Sequence, residues 1–245
     1  MKYSVIIPVR NEENSVVPVY LAVSEVMGRL PGTHEIIFID DASTDCGVLR
    51  LKAVQGKSLV LIELAEHAGQ AAALQAGFDH AAGEIYITLD GDGQNDPRDI
   101  PALLARLAEG FDLVCGWRSP RRDPALKRIA SRAAYMVRSL TAGTGIHDVG
   151  CSLRVFRKKS TEGICLWGGL HRFFDVIMAK RGCRIGEVRV THHPRKNGVS
   201  KYGIWDRLKE GAGDLLRLRF GGAGYATAHA RPYKIKCLSR TAPAA

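Results

Sequence analysis

Residues 84–97 read Glu-Ile-Tyr-Ile-Thr-Leu-Asp-Gly-Asp-Gly-Gln-Asn-Asp-Pro, and this stretch indicates the fold more strongly than any other. The apolar and β-branched run at 85–89 predicts a buried strand that ends abruptly at Asp90-Gly91-Asp92. Two carboxylates one residue apart repel each other unless a positive charge lies between them. Their oxygens suit a hard divalent ion such as Mg²⁺ or Mn²⁺. The alternative is a simple Asp/Gly/Asn/Pro turn that stops the strand.

The composition indicates a folded protein with an anionic partner. The 245 residues suffice for one α/β domain or two small ones, and 46% of them are hydrophobic. The net charge of +10 predicts binding to nucleic acid, an anionic membrane surface or phosphorylated substrates. Scattered cysteines and the lack of a signal peptide favour reduced thiols in the cytoplasm over disulfides or a zinc site. No apolar run approaches the roughly 20 residues that span a bilayer.

Strands and helices alternate at short intervals through the first half of the chain. Strands are predicted at Tyr3–Val9, Glu35–Ile39, Leu59–Leu64, Glu84–Leu89 and Phe111–Cys115, and helices at about 15–30, 45–55, 68–82 and 98–110. This order predicts an α/β fold with a mostly parallel sheet and helices on both faces. In such sheets, ligands bind beyond the carboxyl ends of the strands.

Acidic clusters follow several of these strands. Residues 10–13 (Arg-Asn-Glu-Glu) follow the first strand, 40–45 (Asp-Asp-Ala-Ser-Thr-Asp) the second, and 90–92 the fourth. Because carboxyl ends of parallel strands meet at one edge of the sheet, the clusters are expected to converge there, as a nucleotide–metal site requires. Other nucleotide folds fit poorly: the sequence has no Gly-x-Gly-x-x-Gly after the first strand, no Walker loop, and no Gly-rich nucleotidylyltransferase loop.

From about residue 117 the chain becomes strongly basic. Within 117–138, Arg and Lys face a single acid, Asp123, and apolar residues recur at helical spacing. Such a basic amphipathic helix fits the headgroup layer of a membrane, with a solvated helix face as the alternative. Nucleic acid is not expected as a partner, because no aromatic stacking platform or RNA-binding signature accompanies the charges.

A second basic segment follows a predicted edge strand at 188–193. Residues 194–203 form a glycine-bearing basic loop of the kind that closes over phosphates. His192 and His193 alternate in direction, so at most one faces the site, and a structural role is favoured for each over metal ligation. The stretch 221–245 carries Lys and Arg but no acid and has no periodicity, which predicts a disordered tail.

Several ordered motifs resemble those of family 2 glycosyltransferases. They are Val-Ile-Ile-Pro-Val-Arg-Asn-Glu-Glu (5–13), Ile-Asp-Asp-Ala-Ser-Thr-Asp (39–45), Asp-Gly-Asp-Gly-Gln-Asn-Asp-Pro (90–97) and Cys-Gly-Trp-Arg (115–118). Motifs at 148–154, 171–173 and 195–202 are similar to those of the polyprenol-phosphate branch, such as dolichyl-phosphate mannosyltransferases. The resemblance implies a GT-A fold over 1–220, with a donor half at about 1–116 and an acceptor and lid half at about 117–220.

The resemblance also implies the site residues. Binding of a nucleoside diphosphate sugar is assigned to Pro8, Arg10, Glu12, Asp40, Asp41, Gln70, Asp90 and Gly91. The metal, Mg²⁺ or Mn²⁺, is assigned to Asp90, Asp92 and Gln94. Binding of a polyprenyl phosphate acceptor is assigned to Arg118, Lys127, Arg128, Ser131, Arg132 and Ser200. Catalysis is assigned to Asp92, Arg118, Arg128, Arg195 and Lys201.

Departures from the family's pattern are modest. Gly91 stands where alanine is usual, and its backbone freedom is expected to loosen the metal loop slightly. Ala42 stands where glycine is usual, and His67 and Tyr135 stand where asparagine is frequent. None of these changes removes an expected metal ligand or lid cation.

The reaction implied by the resemblance transfers a hexosyl unit, with inversion, to a polyprenyl phosphate. The enzyme would be cytoplasmic and peripherally associated with the inner face of the membrane, without a transmembrane helix. The acceptor phosphate, with a second pKa near about 6, is largely dianionic at neutral pH and needs no protein base. Asp148 and Asp175 are therefore favoured as structural or orienting groups.

Two alternatives stay open. One is a glycosyltransferase that acts on a glycan or other hydroxyl, for which Asp148 would be the base. The other is a non-catalytic relative that binds a nucleotide sugar. The motifs do not distinguish UDP from GDP donors, nor one sugar from another.

Overall fold

Eight strands form one sheet in the computed structural model, which describes residues 1–54, 56–118, 146–148, 150–194 and 232–241. The strands are β1 (Tyr3–Val9), β2 (His34–Asp40), β3 (Leu59–Leu64), β4 (Ile85–Thr88), β5 (Leu113–Arg118), β6 (Arg154–Arg157), β7 (Ile185–Val190) and β8 (Ile235–Arg240). Their order across the sheet is β7-β5-β6-β4-β1-β2-β3-β8. The neighbours β4, β1, β2 and β3 run parallel, as do β5 and β7. The predicted, mostly parallel sheet is confirmed.

Helices cover both faces of this sheet. They are α1 (Val16–Gly28), α2 (Gly47–Ala53), α3 (Gln70–His80), α4 (Ile100–Ala108) and α5 (Phe174–Lys180). One core layer contains alternate strand residues such as Ile6 with apolar residues of α3 and α5, and the other contains Ile7 with residues of α1, α2 and α4. Burial on both faces explains why the central strands are continuous apolar runs instead of alternating ones.

The strand β6 was not predicted from the sequence. It lies between β4 and β5 and is antiparallel to both. Its four residues, Arg-Val-Phe-Arg, are short and charged at both ends, so they carry little strand signal of their own. The predicted strands at Phe111–Cys115 and 188–193 are present with shifted bounds, at Leu113–Arg118 and Ile185–Val190.

The expectation of a disordered tail is wrong for Ile235–Arg240, which form β8. This strand pairs antiparallel with β3 at the edge of the sheet. Beyond it, Thr241 exchanges hydrogen bonds with Leu59 through both backbone and hydroxyl groups. The edge of β3 supplies hydrogen-bond partners for the backbone of Ile235–Arg240, and the composition of the tail does not reveal them.

Arg240 of β8 also reaches a buried carboxylate. Glu35 is 2% exposed and accepts hydrogen bonds from the Ser4 hydroxyl (2.6 Å) and from the backbone N–H of Ala82 (2.6 Å). Arg240 Nη1 donates to the other carboxylate oxygen at 3.0 Å. The tail thus supplies the cation in contact with this buried charge.

We expect Arg240→Met to lower the free energy of unfolding by about 1.5–3 kcal/mol, because Glu35 then loses a charge-assisted hydrogen bond while it stays buried. Urea denaturation measures the change. The control is Arg29→Met, since Arg29 pairs with Glu25 where both side chains are mostly exposed, so we expect at most about 0.5 kcal/mol. Equal losses in the two variants would contradict a structural role for the tail.

Candidate functional site

The loops that follow β1 and β2 are hydrogen-bonded to each other at the carboxyl edge of the sheet. The Asn11 backbone N–H donates to the Ser43 hydroxyl (2.9 Å), and Thr44 N–H donates to Asn11 Oδ1 (2.8 Å). Asn11 and Ala42 both have a positive φ, 52° and 51°, which turns each chain sharply at its strand end. The predicted convergence of the acidic clusters at one edge is confirmed by this pairing and by the parallel β4-β1-β2 register.

Asp40 is the last residue of β2 and Asp41 follows it, and their carboxylates accept hydrogen bonds from different loops. Asp40 is 5% exposed and accepts from the Ser43 backbone N–H, and burial raises the pKa of its carboxyl while the contacts with Ser43 lower it. The Asp41 carboxylate faces the loop between β3 and α3. It accepts from the backbone N–H groups of Ala68 (2.7 Å) and Gly69 (3.0 Å) and from the His67 ring (2.7 Å).

Three more residues expected to bind the donor lie in or just after β1. Arg10 Nη1 donates to His67 Nε2 at 2.8 Å. Glu12 accepts from the Ser15 hydroxyl through its side chain (3.0 Å) and from the backbone N–H of Ser15 through its carbonyl, where α1 begins. Pro8 lies inside β1 opposite Ile39 of β2. Arg10 and Asp41 therefore meet at His67, while Glu12 braces the start of α1.

The Asp-Gly-Asp loop after β4 is held by polar side chains from three directions. Gln70, the first residue of α3, donates from Nε2 to Asp90 Oδ1 at 2.9 Å. Asn95 Oδ1 accepts both the Asp90 backbone N–H (3.2 Å) and the Ser152 hydroxyl (2.8 Å). The position of Asp90 is thus fixed by its own loop, by α3 and by the segment before β6.

The two carboxylates of this loop oppose each other electrostatically. Burial raises the pKa of Asp90, and the charge of Asp92 raises it further. The nearby Ser152 hydroxyl and the charges of Arg154 and Arg118 lower it. A cation bound by both carboxylates would relieve their repulsion. Carboxylate oxygens are ligands that suit a hard divalent ion.

The third expected metal ligand lies in the same loop. The Gln94 backbone N–H donates to Asp92 Oδ1 (3.1 Å), and its side-chain Nε2 donates to the His193 carbonyl at 3.3 Å. Within the described ranges, no group of three or more His, Cys, Asp or Glu side chains is arranged to hold a metal ion. A site built here therefore needs an amide oxygen or the ligand's own oxygens beside Asp90 and Asp92.

Gly91 packs closely against β1. A Cβ atom at this position would lie 2.3 Å from Val9 Cγ1 and 3.3 Å from the Pro8 carbonyl oxygen. Real Cβ atoms do not approach side-chain carbons so closely, so Val9 would have to move. Glycine thus lets the loop lie directly on the first strand, a packing role beyond the expected backbone freedom.

Arg118, expected to contact the acceptor, ends β5 and is held by a buried acid. Asp148 is 1% exposed, and its two oxygens accept from Arg118 Nε (2.6 Å) and Nη2 (2.9 Å). The Arg118 backbone N–H donates to the same carboxylate at 3.1 Å. This fork supports the orienting role favoured for Asp148. A carboxylate so buried and so engaged is poorly placed to act as a general base.

Glu187 of β7 holds the Asp148 segment in place. One of its oxygens accepts from the backbone N–H groups of His147 (2.8 Å) and Asp148 (3.2 Å), and the other accepts from His147 Nδ1 at 2.7 Å. The His147 ring stacks on Trp117 with centroids 4.4 Å apart. The residues beside Arg118 are therefore fixed from both neighbouring strands, β5 and β7.

A model of the family described as Glycosyl transferase family 2 matches residues 4–165 of the 245. The chain belongs to this family. The chain is 41% identical over 228 residues to the dodecaprenyl-phosphate galacturonate synthase of Rhizobium johnstonii, covering 90% of this chain and 67% of that protein. The undecaprenyl-phosphate 4-deoxy-4-formamido-L-arabinose transferase of Pseudomonas paraeruginosa is 38% identical over 206 residues, covering 81% of this chain and 60% of that protein. The predicted resemblance to the polyprenyl-phosphate branch of family 2 is confirmed.

Solved structures show the same fold. The glucosyl-3-phosphoglycerate synthase of Mycobacterium tuberculosis, in complex with Mn²⁺, UDP and phosphoglyceric acid, superposes with a TM-score of 0.67. It is 18% identical and covers 90% of this chain and 78% of that one. The predicted GT-A fold is confirmed. This family 2 chain spans 67% and 60% of the length of the two curated relatives.

Several residues expected in the site of this family 2 protein lie outside the described part of the chain. They are Lys127, Arg128, Ser131, Arg132, Arg195, Ser200 and Lys201. Their assignments stay predictions. His193 lies within the described part of the chain, and its Nε2 is 3.1 Å from Asp96 Oδ2. This contact fits the structural role favoured for His193. No described helix is long and apolar enough to cross a membrane.

Sequence reasoning missed the side chains that support the acidic loops. Asn95 and Ser152 fix Asp90, and His67 joins Asp41 to Arg10. Asn95 lies inside the 90–97 motif and Ser152 inside the 148–154 motif, so the motifs contained the signal. Their partners are distant in sequence, and only the folded chain reveals them.

Buried charged residues also lie on β6 and at the start of α5. Asp175 is fully buried, and Arg154 Nη1 donates to the His171 carbonyl at 3.2 Å. Burial, with the charges of Arg172 and Arg154, lowers the pKa of His171 to about 3. The His171 ring is therefore neutral in the folded protein across the physiological range.

We expect this histidine to make the protein less stable in mild acid. The pKa of His171 is about 3 in the folded protein and about 6.5 in the unfolded chain. Below pH 6.5, His171 therefore becomes protonated in the unfolded chain but stays neutral in the folded protein, which favours unfolding. Between pH 7.5 and 5.0 this costs about 2 kcal/mol. Urea denaturation at both pH values should show a smaller difference for His171→Gln than for the unmodified protein. An equal difference would contradict the prediction.

Proposed function

We propose that this family 2 protein transfers a glycosyl unit from a nucleoside diphosphate sugar to a polyprenyl phosphate, with a divalent metal ion. One observation carries the proposal. The Asp90-Gly91-Asp92 loop lies beside the ends of β1 and β2 that hold Arg10 and Asp41, so a metal-bound diphosphate and its nucleoside would find adjacent partners. The names of the curated relatives, which act on dodecaprenyl and undecaprenyl phosphates, support the acceptor class.

Asp90, Asp92 and Gln94 would hold the metal ion. Mg²⁺ or Mn²⁺, when bound, would stabilise the negative charge that grows on the departing diphosphate. The M. tuberculosis neighbour was crystallised with Mn²⁺ and UDP, and another crystal of that enzyme contains Mg²⁺.

The engagement of Asp148 favours a phosphate acceptor over a hydroxyl acceptor. A hydroxyl nucleophile needs a base to remove its proton, whereas a largely dianionic phosphate does not. Asp148 is 1% exposed and accepts two hydrogen bonds from the Arg118 guanidinium. Its role would therefore be to orient Arg118 toward the acceptor phosphate. Direct displacement by phosphate would invert the anomeric centre.

A donor screen tests the proposal. The protein is incubated with Mn²⁺, a short polyprenyl phosphate and a panel of UDP- and GDP-linked sugars that includes galacturonate, and released nucleoside diphosphate is measured. We expect release that requires both metal and lipid phosphate, with inversion seen by NMR of the product. Transfer to a glycan hydroxyl without consumption of the lipid would overturn the acceptor assignment. Retention of configuration would overturn the direct displacement.

We further propose peripheral association with the inner, anionic face of the membrane, where a polyprenyl phosphate acceptor lies. The protein's net charge is +10. It should therefore co-sediment with phosphatidylglycerol-containing vesicles at low ionic strength and be released as salt screens the attraction. Neutral phosphatidylcholine vesicles serve as the control. Absence from the pellet at every salt concentration would contradict the prediction.

A further inference from the structure

The loop between β3 and α3 links the two ends of the proposed donor site. His67, Ala68 and Gly69 all donate hydrogen bonds to the Asp41 carboxylate, at 2.7, 2.7 and 3.0 Å. The next residue, Gln70, donates to Asp90 at 2.9 Å. Four consecutive residues thus connect the acid that follows β2 with the acid that follows β4.

His67 extends this link to β1. Its Nδ1 lies 2.7 Å from Asp41 Oδ2, and its Nε2 lies 2.8 Å from Arg10 Nη1. A carboxylate only accepts and a guanidinium only donates, so the ring carries its proton on Nδ1 and accepts through Nε2. Both ring nitrogens are consequently used within the protein.

We propose that His67 is a positioning residue for the nucleoside of the donor. It acts through Arg10, whose guanidinium it holds at the end of β1, and Asp41 anchors it from β2. The inference rests on the proposed function only in that the donor is a nucleoside diphosphate sugar. Because the ring nitrogens are both engaged, His67 itself offers the nucleoside no hydrogen bond.

A fixed guanidinium binds its ligand with less loss of side-chain freedom than a mobile one. Immobilising an arginine side chain when a ligand binds costs conformational entropy. The hydrogen bond to His67 already restricts Arg10 before the donor binds, so less entropy is lost on binding. The contribution of His67 should therefore appear in nucleoside affinity and leave affinity for the diphosphate group unchanged. The diphosphate would instead depend on Asp90, Asp92 and the bound metal.

Calorimetry on the full chain with Mn²⁺ separates these contributions. We expect His67→Ala to weaken binding of UDP, or of GDP if that is the preferred nucleotide, about tenfold, with binding of inorganic pyrophosphate unchanged. His67→Asn keeps a polar group near Asp41 but is too short to reach Arg10, so it should behave like His67→Ala. The control is Glu66→Gln, since Glu66 is 69% exposed and adjacent in sequence, and it should bind both ligands normally.

A double-variant cycle tests whether His67 acts through Arg10. If it does, Arg10→Ala/His67→Ala should bind the nucleotide no more weakly than Arg10→Ala alone. Additive losses would overturn the inference, as would unchanged nucleotide affinity in His67→Ala or equal loss of pyrophosphate. Should the alanine variants fail to fold, ¹⁵N NMR of the unmodified protein decides: an Nδ1-protonated His67 supports the inference, and an Nε2-protonated ring overturns it. None of these measurements needs turnover, so failure of lipid glycosylation would be seen separately.

Discussion

Asp92→Asn should abolish metal-dependent binding of the nucleoside diphosphate and lower kcat/KM by about a thousandfold or more. The removed carboxylate is one of two that would hold the ion, and charge stabilisation of a leaving group by a metal contributes several kcal/mol, with about 4 kcal/mol equal to a thousandfold. Calorimetry with UDP and GDP, each with and without Mn²⁺, measures the binding loss. A coupled assay of nucleoside diphosphate release measures the rate.

The same substitution should not destabilise the metal-free protein. The charge of Asp92 raises the pKa of the neighbouring Asp90, so the two carboxylates repel each other when no cation is bound. Asparagine removes that repulsion, and we expect an equal or higher Tm without metal. The rise in Tm that Mn²⁺ and nucleotide give the unmodified protein should disappear.

The matched control is Glu25→Gln, because Glu25 is an exposed acid on α1 that pairs with the exposed Arg29. It removes one negative charge without touching the loop, so both Tm shifts and turnover should stay normal. Metal-dependent nucleotide binding that survives in Asp92→Asn would show that the acidic loop is a structural turn. A lower Tm without metal would point to the same conclusion.

The central fold was predictable because its signals are local. Val5, Ile6 and Ile7 form an unbroken apolar run in β1, as strands covered on both faces do, and the turn residues after β1, β2 and β4 give the strand ends directly. With strand ends and parallel order known, the meeting of the acidic clusters follows from geometry. The sequence alone therefore predicts which acidic clusters meet at the carboxyl edge of the sheet.

The rest depends on contacts between distant segments. β8 is a strand because the edge of β3 accepts it, and nothing within Ile235–Arg240 distinguishes it from a polar tail. The sequence gives no sign that Arg118 is paired, yet its guanidinium donates hydrogen bonds to Asp148, 30 residues away. Such pairs leave no periodic signal, so only tertiary structure shows which charges are committed.

Asp148→Asn should lower both stability and activity, since it would leave Arg118 without its carboxylate. The Arg118 side chain is 23% exposed and the Asp148 side chain 1%, so the pair lies largely away from water. Removing one partner of a buried ion pair costs about 3–5 kcal/mol, because the remaining charge stays desolvated. We expect a loss near the lower end of that range, since Arg118 retains some exposure. Urea denaturation measures it.

Turnover with a polyprenyl phosphate should fall about a hundredfold, because a freed Arg118 no longer points at the acceptor in a fixed direction. The pH dependence separates this role from that of a base. If Asp148 were the base, its removal would abolish the acid limb of the kcat/KM profile along with the activity. If it positions Arg118, the residual activity should keep an acid limb near the second pKa of the acceptor phosphate, about 6.

A double-variant cycle supplies the structural half of the argument. Arg118→Gln combined with Asp148→Asn removes both charges, so the pair should be less destabilised than the sum of the single variants. The two contacts of 2.6 and 2.9 Å between these side chains predict strong coupling. Loss of turnover with unchanged stability in Asp148→Asn, and additive effects in the double variant, would instead favour catalysis by Asp148 as a base. The acceptor would then be a hydroxyl group, because only that nucleophile needs its proton removed.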